Sequence, residues 1–140
     1  MKINVEIVVS APIAQVWSAY TTPADIKQWN AASDDWHTTA ASVDLREGGT
    51  FSSRMEAKDG SFGFDFTGTY TKIVMHQRIE YSFGDRTAQV EFVETPVGIA
   101  VRVTFDAETT HSEEQQRGGW FAILQNFNRL LKIELSLLSM

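Results

Sequence analysis

A chain of 140 residues with 43% hydrophobic side chains can bury a sizeable core and has the size of one domain, spanning 1–140. A net charge of −6, from 12 basic and 18 acidic side chains, argues against nucleic acid and anionic membrane surfaces as partners, and no apolar run is long enough to span a bilayer, so no membrane insertion is expected. The absence of cysteine excludes disulfides, thiolate zinc sites, iron–sulfur clusters and thiol nucleophiles.

In chain order, Ile3 to Val9 alternates and is rich in β-branched residues, which predicts a first strand. Ser10-Ala11-Pro12 predicts a helix start with Ser10 as cap, and Val16, Trp17 and Tyr20 supply its apolar face. Thr22-Pro23-Ala24-Asp25 predicts a second short helix carrying Ile26 and Trp29. A polar loop, 30–35, follows. From Trp36 onward the pattern is β, with strands expected at roughly 37–45, 50–57, 62–75, 78–84, 87–95 and 98–107. Their separators are Gly48-Gly49, Asp59-Gly60, His76-Gln77, Gly84-Asp85 and Pro96-Val97-Gly98, links short enough to imply antiparallel neighbours. Ser112-Glu113-Glu114-Gln115 is a capping box that opens a long helix. Trp120, Leu124, Phe127, Leu131, Leu135 and Leu138 recur at spacings of three and four, and Ile123, Leu130 and Leu137 widen the stripe.

Each strand has one apolar and one polar face. Phe62, Phe64, Phe66 and Tyr70 oppose Asp65, Thr67, Thr69 and Thr71. Ile79, Tyr81 and Phe83 oppose Glu80 and Ser82, while Val90 and Phe92 oppose Gln89 and Glu91. A sheet covered on both sides would be apolar on both. The expected architecture is therefore α+β, one antiparallel sheet with a wet face and an inner face curled over the last helix.

The ordered set Ser10-Ala11-Pro12, Val16-Trp17, Thr22-Pro23, Trp29, Asp44-Leu45-Arg46-Glu47-Gly48-Gly49, Gly68-Thr69-Tyr70 and Gly118-Gly119-Trp120 with Leu124 and Phe127 covers nearly the whole chain. It resembles the Hsp90-ATPase-activator-homologue (AHSA1-like) family of the START-like (SRPBCC) superfamily. Trp29 to His37 is similar to a bacterial branch of that family. The resemblance implies a helix-grip fold: a seven-stranded antiparallel sheet curled around a long C-terminal helix, with two short helices after strand one. It also implies a cavity between sheet and helix. It carries over no catalytic motif, and fold likeness alone is a weak warrant for function.

The expected cavity wall is Trp29, Trp36, Phe51, Ser53, Met55, Phe64, Phe66, Tyr70, Tyr81, Phe83, Phe92, Trp120, Leu124 and Phe127. Large rings beside small residues leave room for a guest, whereas the same rings could simply fill the core. Trp29 and Trp36 bracket a loop expected at the mouth. Asp35 and His37 point to one side of an extended chain, where a carboxylate could orient an imidazole as general base; a solvated loop is the plainer alternative. Tyr70 and Tyr81 could present hydroxyls to a carbonyl group, or bond backbone instead. Arg46 could meet an anionic head group, or pair with an acid at the sheet edge. No metal site is expected, because His76 and His111 stand in turns distant from Asp34, Asp35 and His37. No cofactor fingerprint, phosphate loop or nucleophile elbow is present.

Three functions follow. The first is a cytoplasmic module, monomeric or a weak homodimer, that binds a small apolar or aromatic ligand, lipid-like or polyketide-like. The second is a cyclase- or aromatase-like enzyme using His37 with Asp35, or a tyrosine. The third is an Hsp90-type co-chaperone module, disfavoured because the eukaryotic co-chaperones of the family carry an additional N-terminal domain not evident in this sequence.

Overall fold

The computed structural model describes residues 1–138; the side chain of Leu138, expected on the helical stripe, lies outside the described residues. Alternation in the opening segment produces β1 (Lys2–Val9), which buries Ile3, Val5 and Val9 and exposes Lys2, Asn4 and Glu6. Two short helices follow, α1 (Ile13–Thr21) and α2 (Pro23–Trp29). The cap of α1 differs from expectation. Pro12, not Ser10, is the N-cap, and its carbonyl accepts from the amides of Gln15 and Val16. Thr22 caps α2 by backbone geometry, without a side-chain hydrogen bond to the helix amides. Pro23 suits the first turn, where its missing N–H costs nothing.

Six strands come next: β2 (Trp36–Val43), β3 (Thr50–Ala57), β4 (Gly63–Val74), β5 (Arg78–Phe83), β6 (Arg86–Thr95) and β7 (Gly98–Asp106). The described residues form one seven-stranded antiparallel sheet in the order β1-β7-β6-β5-β4-β3-β2. Every link from β2 onward joins neighbours, and β1 closes against β7. β2 stops at Val43, two residues short of the expected end. Asp44 to Gly49 instead forms a turn in which Gly48 N–H donates to the Tyr70 carbonyl and Tyr70 N–H to the Gly49 carbonyl, both at 2.8 Å. Phe62 falls before β4 and is 64% exposed, so it does not share the inner face with Phe66 and Tyr70.

Two bulges re-phase the inner face. On β4, Tyr70 pairs Tyr81 and Ile73 pairs Ile79, so three steps on one strand oppose two on the other. The extra residue sends Thr71 and Lys72 outward and lets both Tyr70 and Ile73 point in. On β2, Thr38 pairs Met55 and Ala40 pairs Arg54, with the same consequence for Thr38 and Ala41.

The capping box forms reciprocally. Ser112 N–H donates to Gln115 Oε1 and Gln115 N–H donates to Ser112 Oγ, each at 3.1 Å, opening α3 (Glu113–Leu138). Leu124, Phe127 and Leu131 on α3 are at most 2% exposed. Each contributes about 1.5–3 kcal/mol by burial, which makes docking of α3 a principal source of stability. Leu137, expected on the buried face, is 64% exposed.

Candidate functional site

Between the inner face of the sheet, α2 and α3 lies a cavity of about 360 Å³, within the range of small-molecule sites. The strands supply Phe51, Ser53, Met55, Phe64, Phe66, Tyr70 and Tyr81, while α3 supplies Trp120 and Leu124. Trp29 completes the set of expected residues that the structure brings to the cavity. The other expected wall residues lie elsewhere. Phe92 sits under α1, with its ring centroid 5.2 Å from Trp17 and 5.5 Å from Tyr20. Phe127 is fully buried against Tyr20 and Trp29. Phe83 packs behind the wall against Phe66, Tyr81 and Trp120. Trp36 stands at the sheet edge, beside Phe62 and Phe64.

Trp29 is an anchored wall. It is 5% exposed, its Nε1–H donates to the Ala19 carbonyl at 2.9 Å, and its ring stacks on Tyr20 at 4.9 Å. The loop after it is tethered at two carbonyls. Thr38 Oγ1 donates to Asn30 and Asn126 Nδ2 to Ala31, both at 2.6 Å, which ties the cavity rim to β2 and α3.

Gly68 shapes the interior. It pairs with Phe51 across β3 and β4, and the Phe51 ring lies over it. A Cβ at position 68 would fall 2.5 Å from Phe51 Cε2 and Cζ and 2.7 Å from the Ser82 carbonyl oxygen. Phe51 in turn contacts Phe66, Tyr70 and Tyr81, with centroids 5.8, 5.2 and 5.0 Å away.

The polar groups of the wall are mostly hydroxyls. Tyr20, Ser53, Tyr70 and Tyr81 all line the cavity, and no hydroxyl of the four hydrogen-bonds to another described residue. Burial pushes the Tyr20 and Tyr81 phenols well above their ordinary range, with a smaller rise in Tyr20 from Tyr70 and in Tyr81 from Tyr20 and Tyr70. Burial, then the charge of Asp44, pushes Tyr70 up to about 12. All three are neutral at physiological pH and act as hydrogen-bond donors or acceptors rather than as bases.

The other candidates lie outside this constellation. Asp35 Oδ1 accepts from Ser33 Oγ at 2.6 Å, and the Asp35 carbonyl accepts from Lys58 N–H at 2.8 Å. His37 is exposed, pairs in register with Glu56, and makes no hydrogen bond to Asp35. Arg46 pairs with Asp44 at 2.9 Å on the exposed turn, away from the cavity. No three His, Asp or Glu side chains gather into a metal-ligand cluster among the described residues.

Sequence reasoning missed several wall residues: Tyr20, Ile26, Asn30 and Ala32 near the rim, Ile79 and Val103 on the sheet, Ile123 on α3, and Arg86. Arg86 carried a usable signal. It shares the parity of Ala88, Val90 and Phe92 on β6, so it begins the inner face of that strand.

A curled antiparallel sheet gripping a long C-terminal helix, with two short helices after the first strand, defines a helix-grip α+β protein of START-like type. The profile described as "Activator of Hsp90 ATPase homolog 1-like protein" matches residues 10–132, and the chain belongs to that family. Among solved structures, it is similar to an AHSA1-like protein from Aeromonas hydrophila, with 47% identity and a TM-score of 0.90 over 96% of this chain and 94% of that one. It is also similar to a protein from Cytophaga hutchinsonii, at 42% identity and a TM-score of 0.82, again over 96% and 94% of the two chains. A Nitrosomonas europaea protein at 22% identity, TM-score 0.85 and 97% coverage of both chains shares the fold. No curated protein matches. Among the described residues no helix is long and apolar enough to cross a membrane.

Proposed function

We propose that this chain is a binding protein that holds a small apolar or aromatic molecule between the sheet and α3. The observation that carries the reading is the cavity of about 360 Å³, walled by aromatic and aliphatic side chains and holding four hydroxyls with no hydrogen-bond partner among the described residues. Unpartnered hydroxyls in an apolar enclosure are the few orienting groups a ligand site needs. Burial of apolar ligand surface, at roughly 25 cal/mol per Å², would supply the affinity. Neutral phenols, together with the separation of His37 from Asp35, favour binding over proton abstraction.

The test is titration with N-phenyl-1-naphthylamine, a neutral dye that brightens in apolar pockets. Saturable binding of one dye per chain, weakened by Leu124→Phe, is the expected result. A folded protein that binds no dye up to its solubility limit would contradict the reading. Native mass spectrometry of protein from its own host would then name the chemical class of any retained ligand.

A further inference from the structure

Arg86 is the one charged side chain in the cavity lining among the described residues, and its guanidinium is held in place without a direct ion pair. Its Nε and Nη2 donate to the Asp106 carbonyl at 3.0 and 2.7 Å, and its Cζ lies 4.7 Å from the Phe83 ring centroid. No carboxylate of the described residues lies within ion-pairing distance of it, and Nη1 donates to no atom of them. Arg129 likewise has no carboxylate partner among the described residues, but it is exposed, donates to Asn126 Oδ1 and lies outside the cavity lining, so Arg86 is the one such arginine at the cavity. Arg46, Arg54, Arg78, Arg102 and Arg117 each hold a carboxylate partner, respectively Asp44, Glu56, Glu80, Glu6 and Glu113. Arg86 also borders an outer groove with Glu108, whose carboxyl is held below its ordinary range first by the His111 N–H and more weakly by the Arg86 charge; its hydrogen bonds go to the backbone N–H and Nδ1 of His111, at 2.6 and 3.1 Å, and it does not line the cavity.

Tyr81 stands beside this cation. In the β5–β6 register Tyr81 pairs Ala88 and Phe83 pairs Arg86, which puts Tyr81 diagonal to Arg86 on the inner face. The Arg86 charge opposes the rise that burial imposes on the Tyr81 phenol, so the two groups sense one another. Arg86 is half-buried and keeps Nη1 without a partner among the described residues, so a ligand group of opposite sign can add a charge-assisted hydrogen bond there. A guanidinium fixed in orientation is suited to a planar oxyanion.

We propose that the ligand of this cavity carries one anionic oxygen group of the carboxylate class, docked on Arg86 with the Tyr81 hydroxyl as neighbouring donor. Its apolar body then lies against Phe51, Phe66 and Trp120. The inference rests on the cavity being a ligand site, and it adds the charge and the orientation of the guest.

The experiment displaces N-phenyl-1-naphthylamine from the protein with 2-naphthoate or with 2-naphthamide, a pair of one shape that differs in charge. In the wild-type protein naphthoate should displace the dye at about tenfold lower concentration than naphthamide, and added salt should narrow the gap. Arg86→Gln should abolish that advantage, bringing naphthoate to the naphthamide concentration, and Arg86→Lys should retain part of it. Equal displacement by the two compounds in the wild-type protein overturns the anionic-group inference and leaves the binding reading standing. Failure of the dye to bind overturns both. An advantage that persists in folded Arg86→Gln overturns the assignment to Arg86. Should Arg86→Gln fail to fold, the wild-type pair and its salt dependence decide.

Discussion

Gly68→Ala tests whether one missing side chain keeps the cavity open. The new Cβ would stand 2.5 Å from two Phe51 ring carbons, against an ordinary carbon–carbon contact of about 3.5–4.0 Å. The ring must therefore retreat by about 1 Å. Phe66, Tyr70 and Tyr81 surround it, and the space left to it is the cavity. Overpacking of this kind costs about 1–3 kcal/mol, and removing a strand glycine returns about 0.5–1 kcal/mol. The net loss, up to about 2.5 kcal/mol, should lower a urea midpoint by up to about 1 M. Dye affinity should fall roughly tenfold, as expected when about one methylene's worth of pocket is filled. Adding Phe51→Leu should recover most of the dye affinity of Gly68→Ala and part of its stability. The recovery of stability is partial because the Ser82 carbonyl, 2.7 Å from the new Cβ, remains. Urea unfolding and dye titration of the four proteins of this cycle measure the coupling. Additive effects of the two substitutions, or a Gly68→Ala protein with unchanged dye affinity, would refute the reasoning.

Three further outcomes are expected. Burial, then the neighbouring Asp25 carboxyl, raises Glu134 to about 7 from 4.5. The folded state therefore holds this proton where the unfolded chain has released it, so the stability it contributes is present below about pH 4.5 and lost as pH rises through about 7. Urea midpoints across pH 4 to 8 should fall less in Glu134→Gln than in the wild type, and identical profiles would refute the assignment. Asp106 is held at about 2, chiefly by Lys2 Nζ at 2.6 Å and by Thr87 N–H at 2.8 Å, so its contribution is present above pH 3.8 and lost as pH falls through about 2. Asp106→Asn should accordingly lower the urea midpoint at pH 7 and leave it nearly unchanged at pH 2. Asn126→Ala removes the donor that holds the Ala31 carbonyl at 2.6 Å. Amide exchange over residues 31–36 should quicken severalfold while that of β6 and β7 stays constant, and a uniform change across the protein would show that the tether acts on global stability instead.

Much of the fold was legible because period-2 alternation marks β3, β5, β6, β7 and the part of β4 before its bulge, and period 3.6 takes over at Ser112. The reciprocal bonds of Ser112 and Gln115 are local chemistry, readable from four adjacent residues. The bulges were not legible. Nothing in Thr38-Thr39-Ala40 or Tyr70-Thr71-Lys72 announces an extra residue, because a bulge is settled by pairing with the neighbouring strand. The wall of the cavity was legible only in part for a related reason. Parity tells which face a ring occupies but not whether another ring already covers it. Phe92 and Phe66 share the inner face, yet Trp17 and Tyr20 cover Phe92, whereas Phe66 borders open space. Arg86 shows the opposite failure. Its parity was readable, but a charge at a hairpin is ordinarily solvated, and only the carbonyl of Asp106 and the ring of Phe83 explain why it stays with the wall.

The central claim is that the space between the sheet and α3 receives a small apolar molecule. Isotope-filtered nuclear Overhauser measurements on the protein saturated with N-phenyl-1-naphthylamine test it most directly. The account predicts contacts from the dye protons to Ile79, Tyr81, Trp120 and Leu124, side chains drawn from one strand, β5, and the long helix, α3, that only an occupant of the cavity can touch together. Contacts confined to Trp36 and Phe62 at the sheet edge, or to Ile133 and Leu137 on the exposed end of α3, would contradict it.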